Sequence, residues 1–187
     1  MDKERQEMNI DVNCKKLPIQ SDSLFMAECG TYIRLAIIQT STHGQAWLAS
    51  HFDIFMNKEF KLYYGRIDDV YHMEFYDNIL DCYELDYWSI TPDKIVNLLI
   101  EEIENNNYMI VYLRKPNGNR EHLFYGFDKE KEVFYLVTLL DGKFCEALMT
   151  FEEVKDYFSD FREYNLEFPE GYALVNAQFY PITRIKL

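Results

Sequence analysis

The feature that most constrains the fold of this chain is a pair of apolar runs separated by a short charged segment. The runs EHLFYGF (121–127) and VFYLVT (133–138) flank the five residues DKEKE. Aromatic and β-branched residues favour strands, and a five-residue polar link is short enough to join antiparallel neighbours. The sequence therefore predicts a β-hairpin and, with it, an antiparallel sheet.

Helices are predicted before and after this hairpin. Apolar residues at near-helical spacing predict one helix over 29–39 and another over 45–55. A third is predicted to begin at Thr91 and Pro92, which are residue types of an N-cap and a first helical position. A fourth is predicted over 150–158.

The fourth helix has a capping-box pattern, Thr150 followed three residues later by Glu153. The segment 61–87 is rich in Tyr, Phe and Asp and predicts short strands or irregular structure, and a final strand is predicted within 173–187. Helices first, then strands with one helix between them, indicate an α+β fold. Residues 1–16 are predicted to be a polar arm, and 17–187 a single domain.

Composition excludes some classes of function. The chain has 187 residues, 48% of them hydrophobic, and a formal net charge of −13. This charge argues against nucleic acids and anionic membranes as partners, because both require a basic surface. It suits an amine-bearing substrate, although solubility alone would also explain it. The absence of a signal-like apolar segment predicts a cytoplasmic protein, and the four scattered cysteines make a metal site unexpected.

Cys29 is the candidate nucleophile. Cys29 and Gly30 stand where an extended loop gives way to an apolar helix. A thiol at the start of a helix lies at the positive end of the helix dipole, which favours the thiolate. The alternative is a small buried hydrophobe, the commoner role of an isolated cysteine. The other cysteines lack this setting and are predicted to be structural: Cys14, Cys82 and Cys145.

His122 is the candidate general base, because it stands near the start of the first hairpin strand. Asp141, in the turn after the second strand, is a candidate to orient its ring, although Asp-Gly is also an ordinary turn pair. His72 is the alternative base. Gln20 is a candidate oxyanion donor, and the alternative is an exposed loop glutamine.

These motifs resemble those of papain-like cysteine enzymes. QSDSLFMAECGTYIRLAII is similar to the glutamine, Cys-Gly and apolar helix of the C39-type peptidase branch. HLFYGFD, followed by VFYLV and DGKF, is similar to its histidine-bearing strand, Gly-Tyr-Asp turn and next strand. The hairpin and the TFEEVKDYF helix also resemble N-terminal domains of butirosin-H-type acyltransferases and thiotemplated amide synthetases of the closthioamide kind. The resemblance covers roughly residues 17–160 and implies a papain-like fold.

The resemblance also implies covalent acyl transfer without a cofactor. Cys29 would attack an acyl carbonyl, Gln20 would stabilise the oxyanion, and His122 with Asp141 would move the proton. The leading interpretation is an acyltransferase that forms amide bonds in bacterial secondary metabolism, such as nonribosomal-peptide antibiotic biosynthesis. Its donor would be a phosphopantetheine thioester on an acyl or peptidyl carrier protein, and its acceptor a small amine.

Three basic residues near the PNGN turn are candidates for docking an acidic carrier protein: Arg114, Lys115 and Arg120. Two alternatives remain open. One is a cysteine peptidase or thioesterase of the C39-like type, in which water instead of an amine accepts the acyl group. The other is a non-catalytic papain-fold module that only binds a partner.

Overall fold

A computed structural model describes residues 13–20, 29–44, 46–47, 79–116, 118–140, 143–167 and 182–187. These ranges form an antiparallel seven-stranded sheet with three α-helices. The strands are β1 Cys14–Lys16, β2 Asp81–Glu84, β3 Tyr108–Lys115, β4 Gly118–Asp128, β5 Val133–Leu140, β6 Lys143–Thr150 and β7 Ile182–Lys186. The helices are α1 Cys29–Ile38, α2 Pro92–Glu104 and α3 Phe151–Glu167, with a 3₁₀ helix at Tyr87–Ser89. The predicted α+β class is confirmed.

The predicted hairpin is the centre of the sheet. The strands run in the order β2, β7, β3, β4, β5, β6, and β4 and β5 are both longer than the two apolar runs suggested. In the turn, the Asp128 carboxylate accepts a hydrogen bond from the Lys131 backbone N–H. Glu132 takes a positive φ of 52°, and β5 begins at the next residue. The charged segment thus closes the hairpin through its own side chains.

The strand β1 was not predicted, because its residues fall in the expected arm. Cys14–Lys16 pairs with the end of β4, where Lys16 lies opposite Gly126. A Cβ on Gly126 would lie 2.6 Å from the Lys15 carbonyl oxygen, so the close approach of the two strands requires glycine there. The part of the predicted arm that the structure describes is therefore anchored in the sheet.

The other predicted elements are confirmed where the structure describes them. Helix α1 ends one residue earlier than predicted, and α2 begins at Pro92 as expected. Helix α3 continues to Glu167, well beyond its predicted end. Strand β7 lies within the predicted final strand. Most of the predicted helix over 45–55 lies outside the described residues, as does most of 61–87.

Helices cover both faces of the sheet. Glu121 of β4 faces Arg34 of α1 and defines the α1 face. On the opposite side, the ring of Phe134 in β5 lies 4.7 Å from that of Phe151, the first residue of α3, and defines the α3 face. The α2 helix packs beside α3 on that side, where its Glu102 pairs with Arg184 of β7. Apolar side chains buried between these layers form the core.

Candidate active site

Cys29 is the first residue of α1. The apolar residues that predicted this helix, among them Ile33 and Ile37, are fully buried. Their burial fixes which side of the helix meets the sheet, and the helix dipole places partial positive charge at its first turn. A thiol at this position is chemically suited to be a nucleophile. The Cys29 side chain itself lies outside what the structure describes.

A buried ion pair docks α1 onto β4. The Arg34 Nη1 atom lies 4.0 Å from Glu121 Oε1, and each side chain is only 6% exposed. Burial raises the pKa of Glu121, and the Arg34 charge and a hydrogen bond with Tyr112 oppose this rise. Because both charges are withdrawn from water, their separation would leave an uncompensated buried charge. The pair therefore links the helix that begins at Cys29 to β4.

His122 is completely buried in β4, where it pairs with Val111 of β3. Burial lowers the pKa of His122 from 6.5 to about 3, and the nearby charges of Lys115 and Arg120 contribute. The imidazole is therefore neutral at physiological pH. Neither ring nitrogen has a hydrogen-bond partner among the described residues.

Strand alternation separates His122 from α1. Successive side chains of a strand point to opposite faces, so His122 and its neighbour Glu121 face opposite ways. Glu121 contacts α1, and on the adjacent strand Tyr108 donates a hydrogen bond to the Pro18 carbonyl on the same face. The imidazole belongs to the α3 face. The described residues thus do not bring His122 toward the helix of Cys29, and the predicted pairing of the two stays a prediction.

Gln20 lies beside the far end of α1. Its backbone N–H donates a 3.0 Å hydrogen bond to the Ala36 carbonyl, and its side chain is exposed. Ala36 follows Cys29 by seven residues, which corresponds to about 10 Å along a helix. The backbone of Gln20 is therefore distant from the helix N-terminus, which counts against an oxyanion role. Asp141 and His72 lie outside the described residues.

The three basic residues predicted to dock a carrier protein are divided between the two faces. Arg114 and Lys115 are consecutive in β3 and point to opposite faces, and Arg120 lies on the same face as Lys115. All three are half-buried, so they form no continuous exposed patch. The three cysteines predicted to be structural form no disulfide with one another: Cys14, Cys82 and Cys145.

Sequence reasoning missed Arg34 and Glu121 as a unit. The sequence does contain a signal for the pair: a charged residue stands within each of two apolar segments, IRLA in α1 and EHLF in β4. Because a buried charge needs a partner of opposite charge, these two residues could have been predicted to pair. No group of three His, Cys, Asp or Glu side chains that could hold a metal occurs among the residues the structure describes.

The chain has no counterpart among the protein-family models, and none of the curated proteins matches it. The resemblance to papain-like enzymes therefore stays a prediction. Within the described ranges, no helix combines the length and the apolar character needed to cross a membrane.

Proposed function

We propose that the chain is a cysteine-dependent acyltransferase of papain-like fold that forms amides from carrier-bound thioesters. The observation that carries the proposal is the position of Cys29 at the first turn of a helix docked on an antiparallel sheet by a buried ion pair. A helix N-terminus favours the thiolate, and the buried ion pair links this helix to the sheet. The papain-like arrangement of a cysteine helix on a sheet is supported by this layout and by the resemblance of the motifs.

The proposed reaction has two acyl-transfer steps. The Cys29 thiolate attacks the thioester carbonyl, and the carrier thiolate leaves with the electron pair of the broken C–S bond. A small amine then attacks the acyl-Cys29 carbonyl, an amide bond forms, and the Cys29 sulfur is released. The proton lost by the amine passes to a base and on to solvent or to the carrier thiolate. The proposed setting is the cytoplasm of a bacterium that makes nonribosomal peptides.

The base is the component with the least structural support. A neutral imidazole such as that of His122 is able to accept a proton, and this supports its assignment. Its complete burial and its place on the α3 face count against it. The same facts favour the second candidate function, a papain-fold module that binds a partner without catalysis.

Intact-mass measurement after incubation with an acyl-pantetheine thioester tests the nucleophile. The native chain should gain the mass of one acyl group, and Cys29→Ala should gain none. The matched controls Cys14→Ala and Cys145→Ala should acylate like the native chain. Acylation that persists in Cys29→Ala would refute the nucleophile, and no acylation in any variant would favour the binding module.

The fate of the acyl-enzyme separates the enzyme classes. Release of an amide when a small amine is added supports the acyltransferase. Release of the free acid at the same rate with and without the amine supports the thioesterase or peptidase alternative. If His122 is the base, His122→Leu should slow acylation by at least about 100-fold. Acylation at the native rate in His122→Leu would assign the base role to another group.

A further inference from the structure

Polar side chains from three adjacent strands gather on the α3 face. Arg120 and His122 are two residues apart in β4 and share this face, and Lys115 of β3 lies diagonally beside Arg120. Leu123 of β4 pairs with Val137 of β5. His122 and Thr138 lie one residue further along these two strands and share one face of the sheet. We call Lys115, Arg120, His122 and Thr138 the α3-face cluster.

The α3-face cluster holds buried polar atoms that have no hydrogen-bond partner among the described residues. They are the Arg120 Nε atom, both His122 ring nitrogens and the Thr138 hydroxyl. His122 is 0% exposed and Thr138 is 1% exposed. A buried polar atom left unpaired costs about 1–3 kcal/mol, so several at one place indicate a missing partner.

The unpaired atoms are mainly donors. The Arg120 Nε–H can only donate, a neutral imidazole donates through one nitrogen, and the Thr138 hydroxyl can donate or accept. The Lys115 ammonium adds three donors, and it lies close enough to His122 to lower the pKa of the imidazole. A partner rich in acceptor oxygens would satisfy more of these atoms than another donor.

The charge of the cluster is positive. Glu153 of α3 is an acidic group that acts on Lys115. However, Glu153 Oε2 already accepts hydrogen bonds of 2.8 and 3.0 Å from the Thr150 backbone N–H and hydroxyl. Arg120 is a second cation that acts on Lys115, and the carboxylate beside Lys115 is already engaged with Thr150. This environment attracts an anion, in contrast to the acidic character of the chain as a whole.

We propose that the α3-face cluster of Lys115, Arg120, His122 and Thr138 binds a small oxyanion, the carboxylate or phosphate group of a ligand. Arg120 and Lys115 supply the charge, and His122 and Thr138 supply neutral hydrogen bonds. The cluster lies on the opposite face of the sheet from α1 and shares only His122, the candidate base, with the proposed acyl transfer. Its test measures anion binding and no acyl transfer, so failure of one proposal is distinguishable from failure of the other.

Titration of the native chain with sodium phosphate and, separately, with sodium acetate tests the proposal by nuclear magnetic resonance. The readout is the pair of His122 ring ¹⁵N signals, assigned by their loss in His122→Gln. One or both anions should shift these signals saturably, whereas sodium chloride at matched ionic strength should not. Tighter binding of phosphate identifies a phosphate ligand, and tighter binding of acetate a carboxylate ligand.

Two variants and a matched control locate the site. Arg120→Gln should weaken binding at least about tenfold, which corresponds to about 1.4 kcal/mol. Thr138→Val, which preserves the side-chain shape, should weaken it about fivefold. Arg114→Gln removes an equal charge from the other face of the neighbouring strand and should leave binding unchanged.

Three results would overturn the proposal. The first is a His122 spectrum that neither anion changes. The second is an equal response to sodium chloride, which would indicate general screening. The third is an equal loss of binding in Arg114→Gln and Arg120→Gln.

Discussion

At the scale of single residues, His122 links the stability of the fold to pH. Burial, with a smaller contribution from the charges of Lys115 and Arg120, lowers its pKa from 6.5 to about 3. The unfolded chain therefore binds a proton near pH 6.5 that the folded chain takes up only near pH 3. Above pH 6.5 the imidazole is neutral in both states, so His122 does not reduce the free energy of unfolding. As the pH falls from 6.5 toward 3, protonation of the unfolded chain lowers this free energy.

Replacement of His122 by Leu, which cannot be protonated, should remove this dependence. Between about pH 6 and pH 4, His122 should lower the free energy of unfolding by about 1 kcal/mol for each pH unit of acidification. Urea unfolding across this range would show a steeper decline in the native chain than in His122→Leu. The exposed His43 is the control, and His43→Leu should keep the native slope. Equal slopes in the native chain and His122→Leu would contradict the prediction.

The ion pair of Arg34 and Glu121 should show strong coupling. Glu121→Leu leaves the Arg34 charge in a buried site and should cost about 3 kcal/mol, and Arg34→Met should cost a similar amount. The double variant should cost clearly less than the two single losses together, because it removes both charges. Urea unfolding of the four proteins measures this difference. Additive losses would mean that the pair does not act as a unit.

The sequence predicted that His122 lies in a strand, but not that its side chain faces α3 and not α1. An alternating strand pattern shows which residues share a face, but not which face a given helix will cover. The distance of Gln20 from the start of α1 was equally hidden, because it follows from a hydrogen bond between Gln20 and Ala36, near the other end of the helix. Both outcomes depend on packing between distant parts of the chain, which leaves no local signal.

At the scale of elements, the first turn of α3 is held by a complete capping box. Thr150 Oγ1 accepts a hydrogen bond from the Glu153 backbone N–H, and Glu153 Oε2 accepts one from the Thr150 backbone N–H. Thr91, at the N-cap of α2, makes no side-chain capping hydrogen bond. The same residue type thus has different roles at the two helix starts.

These two threonines form a matched pair of tests. Thr150→Ala should lower the free energy of unfolding by about 1 kcal/mol, because it removes a capping hydrogen bond. Thr91→Ala should cost less than about 0.5 kcal/mol, because no such bond is lost. Thermal or urea unfolding measures both. A larger loss in Thr91→Ala than in Thr150→Ala would refute the assignment of the caps.

Elements with local signals were the predictable ones. Helices α1, α2 and α3 and the β4–β5 hairpin follow from spacing, caps and turn residues that lie close together in the sequence. Strands β1 and β2 are short, at three and four residues, and have no distinctive pattern. Their pairing is decided by partners far away in the chain, and for β1 by the absence of a side chain at Gly126.

At the scale of the whole molecule, Arg162 connects α3 to the 3₁₀ segment after β2. Its guanidinium donates to the Tyr87 carbonyl at 3.0 Å and to the Ile90 carbonyl, more than 70 residues earlier in the chain. One side chain thereby satisfies two backbone acceptors of an irregular segment. Arg162 thereby ties this segment to α3.

Arg162→Met should therefore cost about 2 kcal/mol of stability. Arg162→Lys should recover less than half of the loss, because an ammonium group cannot reproduce the fork of donors. Lys155→Met, an exposed change on the same helix, is the control and should be almost neutral. Unfolding followed by tryptophan fluorescence, with Trp88 beside Arg162, measures all three. An equal loss from Lys155→Met would refute this role.

The place of β7 in the sheet also governs when the fold can be completed during translation. Strand β7 lies between β2 and β3, although it is made after both and after every other described element. A growing chain can form the β3–β6 meander early, but β2 lacks the strand with which it pairs in the described sheet until residues 182–186 are available. Until then the β3 edge is open to strands of neighbouring chains. A ribosome that pauses shortly before residue 182 would prolong this state, in which β3 lacks its β7 partner.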